Sequence, residues 1–409
     1  MSDVPVRYVS EEDLTDRVPV SVVWEITLAC DLACQHCGSR AGRRRRDELT
    51  TAEALDLIEQ MAELGTREVA LIGGEAYLRK DWIQLIEAVR ANGMECGIQT
   101  GGRNLSDEKV AKAAAAGLQG VGVSIDGLRE VHDEIRGVPG SFDRALEALR
   151  RVSAHGIVAS VNTQINRRSM PQLREIMDVI IEAGATNWQL ALTVAMGNAA
   201  DHPELLLQPW ELLELMPLLA ELAEDGRKRG LFLQPANNIG YFGPHEAAIR
   251  NVLDEELHWI GCTAGDGVMG IEADGTIKSC PGLPSPYAGG SVRDRSLRDI
   301  WENADPLAFT RRRTVDDLWG YCRTCYYAEV CMAGCTWTAH ALFGRPGNNP
   351  MCHYRALEMD RQGLRERLVK IKDATGLPFD HGEFEIVVEP VPEAPPPPRR
   401  IPDRILVNG

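Results

Sequence analysis

Between Val22 and about Gly230, short apolar runs alternate with longer amphipathic ones. Six of the short runs read as strands: Val22–Thr27, Val69–Ile72, Cys96–Thr100, Val121–Ile125, Val158–Asn162 and Trp188–Thr193. They are brief and apolar, and several end in glycine or polar residues. The stretches between them repeat apolar residues at helical spacing. The first opens at Thr50, with Glu53 three residues on as in a capping box, and Leu55, Ile58, Met61, Ala62 and Leu64 mark its apolar positions. Further helices are predicted near Asp81–Asn92, Asp107–Ala116, Phe142–Ala154, Met170–Ala183 and Pro209–Arg227. Six consecutive strand–helix units imply parallel strands with right-handed crossovers. The fold is then an open doubly wound sheet or a barrel, and in either the chemistry gathers at the C-terminal ends of the strands.

The alternation stops after Gly230. Residues 1–20 read as a short polar arm, 21–230 as the strand–helix domain and 231–260 as a bridging region. Residues 261–355 form a second, small domain with seven of the eleven cysteines. It holds a hairpin signal, GVMGIEADGTIKSC, whose Asp274-Gly275 suits a tight turn. In the remainder, 356–409, residues 356–371 predict a basic amphipathic helix, EIVVEPV a candidate edge strand, and Pro395–Pro398 an extended tail of polyproline character.

Composition narrows the partners. No apolar run approaches the ~18 residues that read as a membrane span. The acidic, polar N-terminus lacks an export-signal core, so a cytoplasmic protein with no membrane contact is expected. A formal net charge of −16 argues against a nucleic-acid partner. In a reducing compartment, clustered cysteines are metal ligands sooner than disulfides.

Cys30, Cys34 and Cys37 lie in a C-x3-C-x2-C clamp directly after the first strand. Three thiolates packed so tightly suit one corner of a [4Fe–4S] cube and leave one iron open. A structural zinc site with a remote fourth ligand has the same thiolate chemistry, so the spacing alone leaves it open. Two further segments keep register with the clamp: Gly73-Gly74-Glu75 after the second strand and Val123–Gly127, VSIDG, at the end of the fourth. Ser124 and Asp126 also admit a plain reading as turn residues.

The clamp, the GGE segment and VSIDG together resemble the radical S-adenosylmethionine superfamily. That resemblance implies a partial (β/α)6 TIM-like barrel over about residues 21–230. It also implies roles. Cys30, Cys34 and Cys37 would hold the catalytic cluster. Gly73, Gly74 and Glu75 would meet the amino group of the bound methionine moiety, Ser124 and Arg136 its carboxylate, and His36 would lie by the adenine. Ala76 stands where the family usually has proline. The implied chemistry is one-electron cleavage of the sulfonium to a 5′-deoxyadenosyl radical that abstracts a substrate hydrogen.

Downstream, Cys262, Cys280, Cys322, Cys325, Cys331, Cys335 and Cys352 match the seven-cysteine spacing of the SPASM extension. Without that match, a zinc-ribbon module would explain the CxxC pair. The resemblance implies two auxiliary [4Fe–4S] clusters, with Cys262, Cys280 and Cys335 serving the first and Cys322, Cys325, Cys331 and Cys352 the second. Three [4Fe–4S] clusters and S-adenosyl-L-methionine are the expected cofactors, and only Cys96 is left over. Residues 263–279 contain no extra cysteine, so the first auxiliary cluster is expected to keep an open iron for substrate, Asp266 or solvent.

SPASM enzymes are mostly peptide or protein maturases. The expected activity is therefore modification of a ribosomally made precursor peptide, by a cross-link or other C–H functionalisation. The alternatives are a small-molecule biosynthetic intermediate and sulfatase-maturase-like protein oxidation. The last is demoted because Pro281 stands where those relatives carry an acidic base. The expected partners are the peptide, a separate leader-binding protein and a flavodoxin- or ferredoxin-type electron donor. The basic run Arg43–Arg46 beside the clamp reads either as an attractor for an acidic leader or, more simply, as a solvated loop.

Overall fold

The computed structural model describes residues 9–250, 259 and 261–392. All six expected strands form, as β1 (Ser21–Glu25), β2 (Glu68–Ile72), β3 (Glu95–Thr100), β4 (Gly120–Ser124), β5 (Val158–Ile165) and β6 (Asn187–Leu192). A seventh, β7 (Phe232–Pro235), lies inside the expected bridging region and pairs in parallel with β6. β8 (Val268–Ile271), β9 (Thr276–Lys278) and β10 (Ala288–Ser291) complete one ten-stranded sheet in the order β10-β9-β8-β1-β2-β3-β4-β5-β6-β7. β1 to β7 run parallel, and helices between them cover the outer face, which makes a partial TIM-like barrel.

The predicted hairpin at Asp274-Gly275 is present, with Gly275 at φ 86° in the left-handed region that favours glycine. Its first strand, β8, pairs in parallel with β1. The cysteine-rich region therefore begins as an extension of the barrel sheet. Met269, Ile271 and Ile277 share one apolar core with Val22, Trp24 and Val69, and the helix Leu297–Asn303 adds Ile300 and Trp301 to it.

Helix Thr51–Glu63 starts with the expected capping box, Thr50 and Glu53 satisfying each other's backbone N–H groups. Its buried face is Ala54, Leu57, Ile58 and Met61, with Leu55 and Ala62 only partly covered, so the inner face is rotated from the expected one. A larger correction falls on 356–371. The helix spans only His353–Arg361; Gly363, at φ 69°, turns the chain, and Leu364–Lys372 becomes β11, antiparallel to β12 (Glu383–Pro390). Leu364, Glu366 and Leu368 alternate with basic residues, and the strand period wins because Glu366 and Leu368 face inward. The EIVVEPV strand is thus found, and Pro395–Pro398 lies outside the described residues. Among those residues no helix is long and apolar enough to cross a membrane.

The joint between this last helix and β11 is a buried fork. Arg355 donates Nε and Nη2 to the two oxygens of Glu366 at 2.6 and 2.7 Å, and its Nη1 to Asn348 Oδ1 at 2.7 Å. Removing one member strands a buried charge, so Glu366→Ala is expected to cost about 3–5 kcal/mol. Arg355→Met combined with Glu366→Leu should recover most of that loss. Denaturant unfolding of the apoprotein followed by circular dichroism checks both.

Candidate active site at the strand ends

The clamp loop leaves the C-terminal end of β1 and is closed on itself. Gly42 N–H donates to the Leu28 carbonyl at 2.9 Å and Cys30 N–H to that of Gly42 at 3.2 Å. Buried Glu48 anchors the base, accepting from Thr27 Oγ1 and from the backbone N–H groups of Leu28 and Arg45, each at 3.0 Å. Within Arg43–Arg46, Arg44 pairs with Glu48 at 2.7 Å, and Arg45 reaches Glu272 at 2.7 Å and Asp274 at 3.3 Å. Arg45 therefore ties the loop to the β8–β9 hairpin.

The clamp sulfurs accept Leu32 N–H at Cys30 (3.4 Å), Ala41 N–H at Cys37 (3.3 Å) and Arg136 Nη1 at Cys34 (3.6 Å), and the Cys37 sulfur also lies 3.7 Å from the Ser39 hydroxyl. Burial nevertheless pushes the Cys30 thiol up to about 12 and the Cys34 thiol to about 11, the latter against the pull of Arg136. Such thiols keep their protons until a metal displaces them.

The two glycines after β2 serve the loop itself. A Cβ on Gly73 would lie 2.1 Å from the Thr27 carbonyl oxygen, and one on Gly74 would lie 2.1 Å from that of Ala29 and 2.8 Å from Cys30 Cβ. Gly74 and Glu75 N–H donate to those same carbonyls at 2.8 and 2.7 Å. The GGE segment is thus the wall against which the clamp rests. Glu75 is buried and accepts from the Thr100 hydroxyl and, at 2.6 Å, from Gly101 N–H. Burial outweighs these neutral donors and pushes its pKa up to about 7. Its carboxylate, that of Asp31 and the Cys30 sulfur lie within 4.8 Å of one another.

Asp126, which the sequence leaves as a turn residue, is the electrostatic hub. It is fully buried at the end of β4, next to half-buried Ser124. Its Oδ2 accepts from His36 Nε2 at 2.8 Å and pairs with Arg136 Nη2 at 2.5 Å, while Oδ1 accepts Gln164 N–H at 2.7 Å. Burial works against ionisation here, but Arg136 and His36 hold the carboxyl below the usual range. A carboxylate only accepts, so His36 carries its proton on Nε2. His36 Nδ1 and Arg136 Nε remain buried without a partner among the described residues.

The remaining ligand candidates fall into two groups. Cys335 is buried and Cys280 half-buried, their thiols pushed up by burial to about 11 and about 12, and each also feels the charge of Cys262. Cys322, Cys325, Cys331 and Cys352 line a single apolar hollow walled by Tyr241, Phe242, Tyr321, Tyr327 and Tyr354. All eleven cysteines are free thiols, and Cys96 sits buried in β3. Asp266, a candidate for the open iron, is instead engaged by Arg311 at 3.2 Å. Sets of three and four clustered thiols fit iron–sulfur clusters: soft donors, deprotonated on binding.

A parallel strand–helix barrel that presents a three-thiol clamp at its first strand end places a soft-metal site at the edge of the sheet where such folds carry their chemistry. Residues 24–180 match the Radical SAM superfamily, and residues 262–326 match SPASM, an iron–sulfur cluster-binding domain. The AdoMet-dependent heme synthase of Methanosarcina barkeri is 30% identical over 352 residues, covering 83% of this chain and 97% of that protein. The mycofactocin maturase MftC of Mycobacterium tuberculosis is 29% identical over 406 residues, covering 96% and 95%. Streptococcus suis SuiB bound to S-adenosylmethionine shares the fold with a TM-score of 0.65 at 19% identity, over 82% of this chain and 76% of that one. So does anSMEcpe with bound AdoMet and Kp18Cys peptide, with 0.66 at 14% identity over 83% and 94%. The chain belongs to the radical SAM superfamily and carries a SPASM domain. It is a radical SAM enzyme that uses S-adenosylmethionine and iron–sulfur clusters.

Gly74→Ala is expected to drive the clamp loop off its wall and to lower the iron retained after anaerobic reconstitution. Gly42→Ala, in the same loop with open space around it, should retain iron. Iron analysis and visible absorption distinguish the two, and full iron in the Gly74→Ala protein would contradict the crowding argument.

Proposed function

We propose that this enzyme is a maturase that modifies a ribosomally synthesised precursor peptide by C–H functionalisation. The observation that carries the reading is similarity to a mycofactocin maturase along 96% of the chain. The fold shared with SuiB, which has been solved bound to the precursor peptide SuiA, supports it. A second reading, a small-molecule substrate of tetrapyrrole type, is favoured by the 30% identity to that heme synthase.

In this reading Cys30, Cys34 and Cys37 hold the catalytic cluster, Cys262, Cys280 and Cys335 a first auxiliary cluster, and Cys322, Cys325, Cys331 and Cys352 a second. When bound, the catalytic cluster and S-adenosylmethionine supply one-electron chemistry that removes a substrate hydrogen atom. The chain's own groups orient the cofactor. Glu75 accepts the methionine ammonium, whose charge returns its raised pKa toward the ionised range. Arg136, fixed by Asp126, keeps Nε free for the carboxylate, and Ser124 at the end of β4 is the second group for it. His36 offers Nδ1 to the adenosyl part. A separate leader-binding protein and a flavodoxin- or ferredoxin-type donor complete the system.

Replacing Cys30, Cys34 and Cys37 by Ala should abolish 5′-deoxyadenosine formation and lower the iron content from about twelve to about eight per chain. Anaerobic incubation with candidate precursor peptides, and separately with iron tetrapyrroles, reads out the substrate by mass spectrometry. A modified tetrapyrrole with an unchanged peptide would overturn the peptide reading.

A further inference from the structure

The cations of the cysteine-rich region are nearly all matched to carboxylates. Arg355 forks onto Glu366, Lys278 Nζ meets Glu272 at 2.9 Å, and Arg311 meets Asp266 at 3.2 Å. Arg313 is different. Its Nη1 reaches only a neutral oxygen, Thr336 Oγ1, at 3.3 Å. Its Nε and Nη2 are buried with no hydrogen-bond partner among the described residues. A guanidinium cannot shed its charge, so unpaired buried N–H donors bear their full desolvation cost.

The groups whose charge Arg313 feels identify what is missing. Burial disfavours its charge, and Cys262, then Tyr287, Asp317 and Cys322, favour it. Tyr287 is already bonded to His340 at 3.1 Å, and Asp317 is exposed and accepts from Thr314 N–H at 2.7 Å. Cys262 belongs to the three-thiol group and Cys322 to the four-thiol group. Thr336, which holds Nη1, follows Cys335, the third thiol of the first group. Arg313 is thus a cation with spare donors, held through Thr336 next to Cys335 and within electrostatic reach of one cysteine from each set.

We propose that Arg313 is the shared counter-charge of the two auxiliary iron–sulfur sites, its unpaired N–H groups donating to sulfur and holding both reduction potentials up. The inference rests on the assignment of those seven cysteines to two clusters. A thiolate-ligated cluster gains negative charge on reduction, so a fixed cation and N–H···S bonds stabilise the reduced state, the more so where water is excluded. The three-cysteine site depends on it most, because Thr336, which holds its Nη1, follows Cys335 of that set. Arg313 touches no part of the clamp and so acts as a positioning residue for electron flow, outside the radical-forming site.

The test uses anaerobically reconstituted full-length enzyme and its Arg313→Met and Arg313→Lys variants. Iron content, cofactor cleavage without substrate and EPR-monitored redox titrations are measured on each. The expected result for Arg313→Met is full iron, unchanged 5′-deoxyadenosine formation at the clamp, and more negative midpoints for both auxiliary centres. Arg313→Lys, which keeps charge but loses the fork, should shift them less. Unchanged auxiliary midpoints in a fully loaded Arg313→Met protein would overturn the proposal. Should Arg313→Met lose auxiliary iron, Arg313→Lys decides: loading restored by charge supports the counter-charge role, and equal loss shows a purely steric one. A wild-type content of about four irons would instead remove the auxiliary clusters themselves and leave Arg313 unexplained.

Discussion

The parallel pairing of β8 with β1 is the constraint on which the arrangement of the sites depends. Val22, buried, has Val69 on one side and Met269 on the other, in register. β1 is therefore interior to the sheet, and both of its neighbours fix the direction in which the clamp loop departs. The chain after β8 reverses at Asp274-Gly275 into antiparallel β9, and a Cβ on Gly275 would lie 2.8 Å from the Val292 side chain and 2.9 Å from that of Leu49. Arg45 closes the circuit by joining the clamp loop to Glu272 and Asp274 at that turn. The cluster loop and the cysteine-rich region are thus held by one sheet.

Two buried carboxylates near the clamp show how environment sorts similar groups. Asp126 has a guanidinium and an imidazole on one oxygen and stays ionised despite complete burial. Glu75 is as deeply buried, but its nearest donors are a hydroxyl and a backbone N–H, and its pKa rises to about 7. A carboxylate surrounded by neutral donors is completed by an arriving cation. One already matched to a guanidinium is better used to hold its partners still. That division fits Glu75 to ligand contact and Asp126 to support, although in sequence both are single acidic residues after a strand.

Much of this was legible in the chain. The strands of the barrel were readable because each is a short apolar run between punctuating residues. The cysteine groups were readable because soft-metal ligation resides in one residue type at tight spacing. β7 was not, because its four residues end in proline and have a partner on one side only. Leu364–Lys372 was misread because a run of alternating basic and apolar residues fits a helix face as well as a strand, and only Gly363 marks the change. Asp126 was missed for a different reason. Its meaning comes from His36, 90 positions earlier in the chain, and no local pattern records that partnership.

Arg40 is the extreme case of such long-range meaning, and it shapes the approach to the clamp. It sits just past Cys37 on left-handed backbone at φ 49°, a conformation that a side chain must be held in. Its guanidinium donates to Gly197 O at 2.9 Å and Asn198 Oδ1 at 2.8 Å beyond β6, and to Asp380 Oδ1 at 3.0 Å, 340 positions away in the β11–β12 connection. Phe379 N–H adds a bond to Gly38 O at 3.0 Å, and the Phe379 ring covers Lys278 Nζ of β9 at 3.7 Å. The C-terminal hairpin is therefore a wall of the site on the Cys37 side, joined at once to the clamp, the β6 exit and the cysteine-rich region. A residue that reads as one more surface arginine in sequence is what binds the last elements of the chain to its first functional loop.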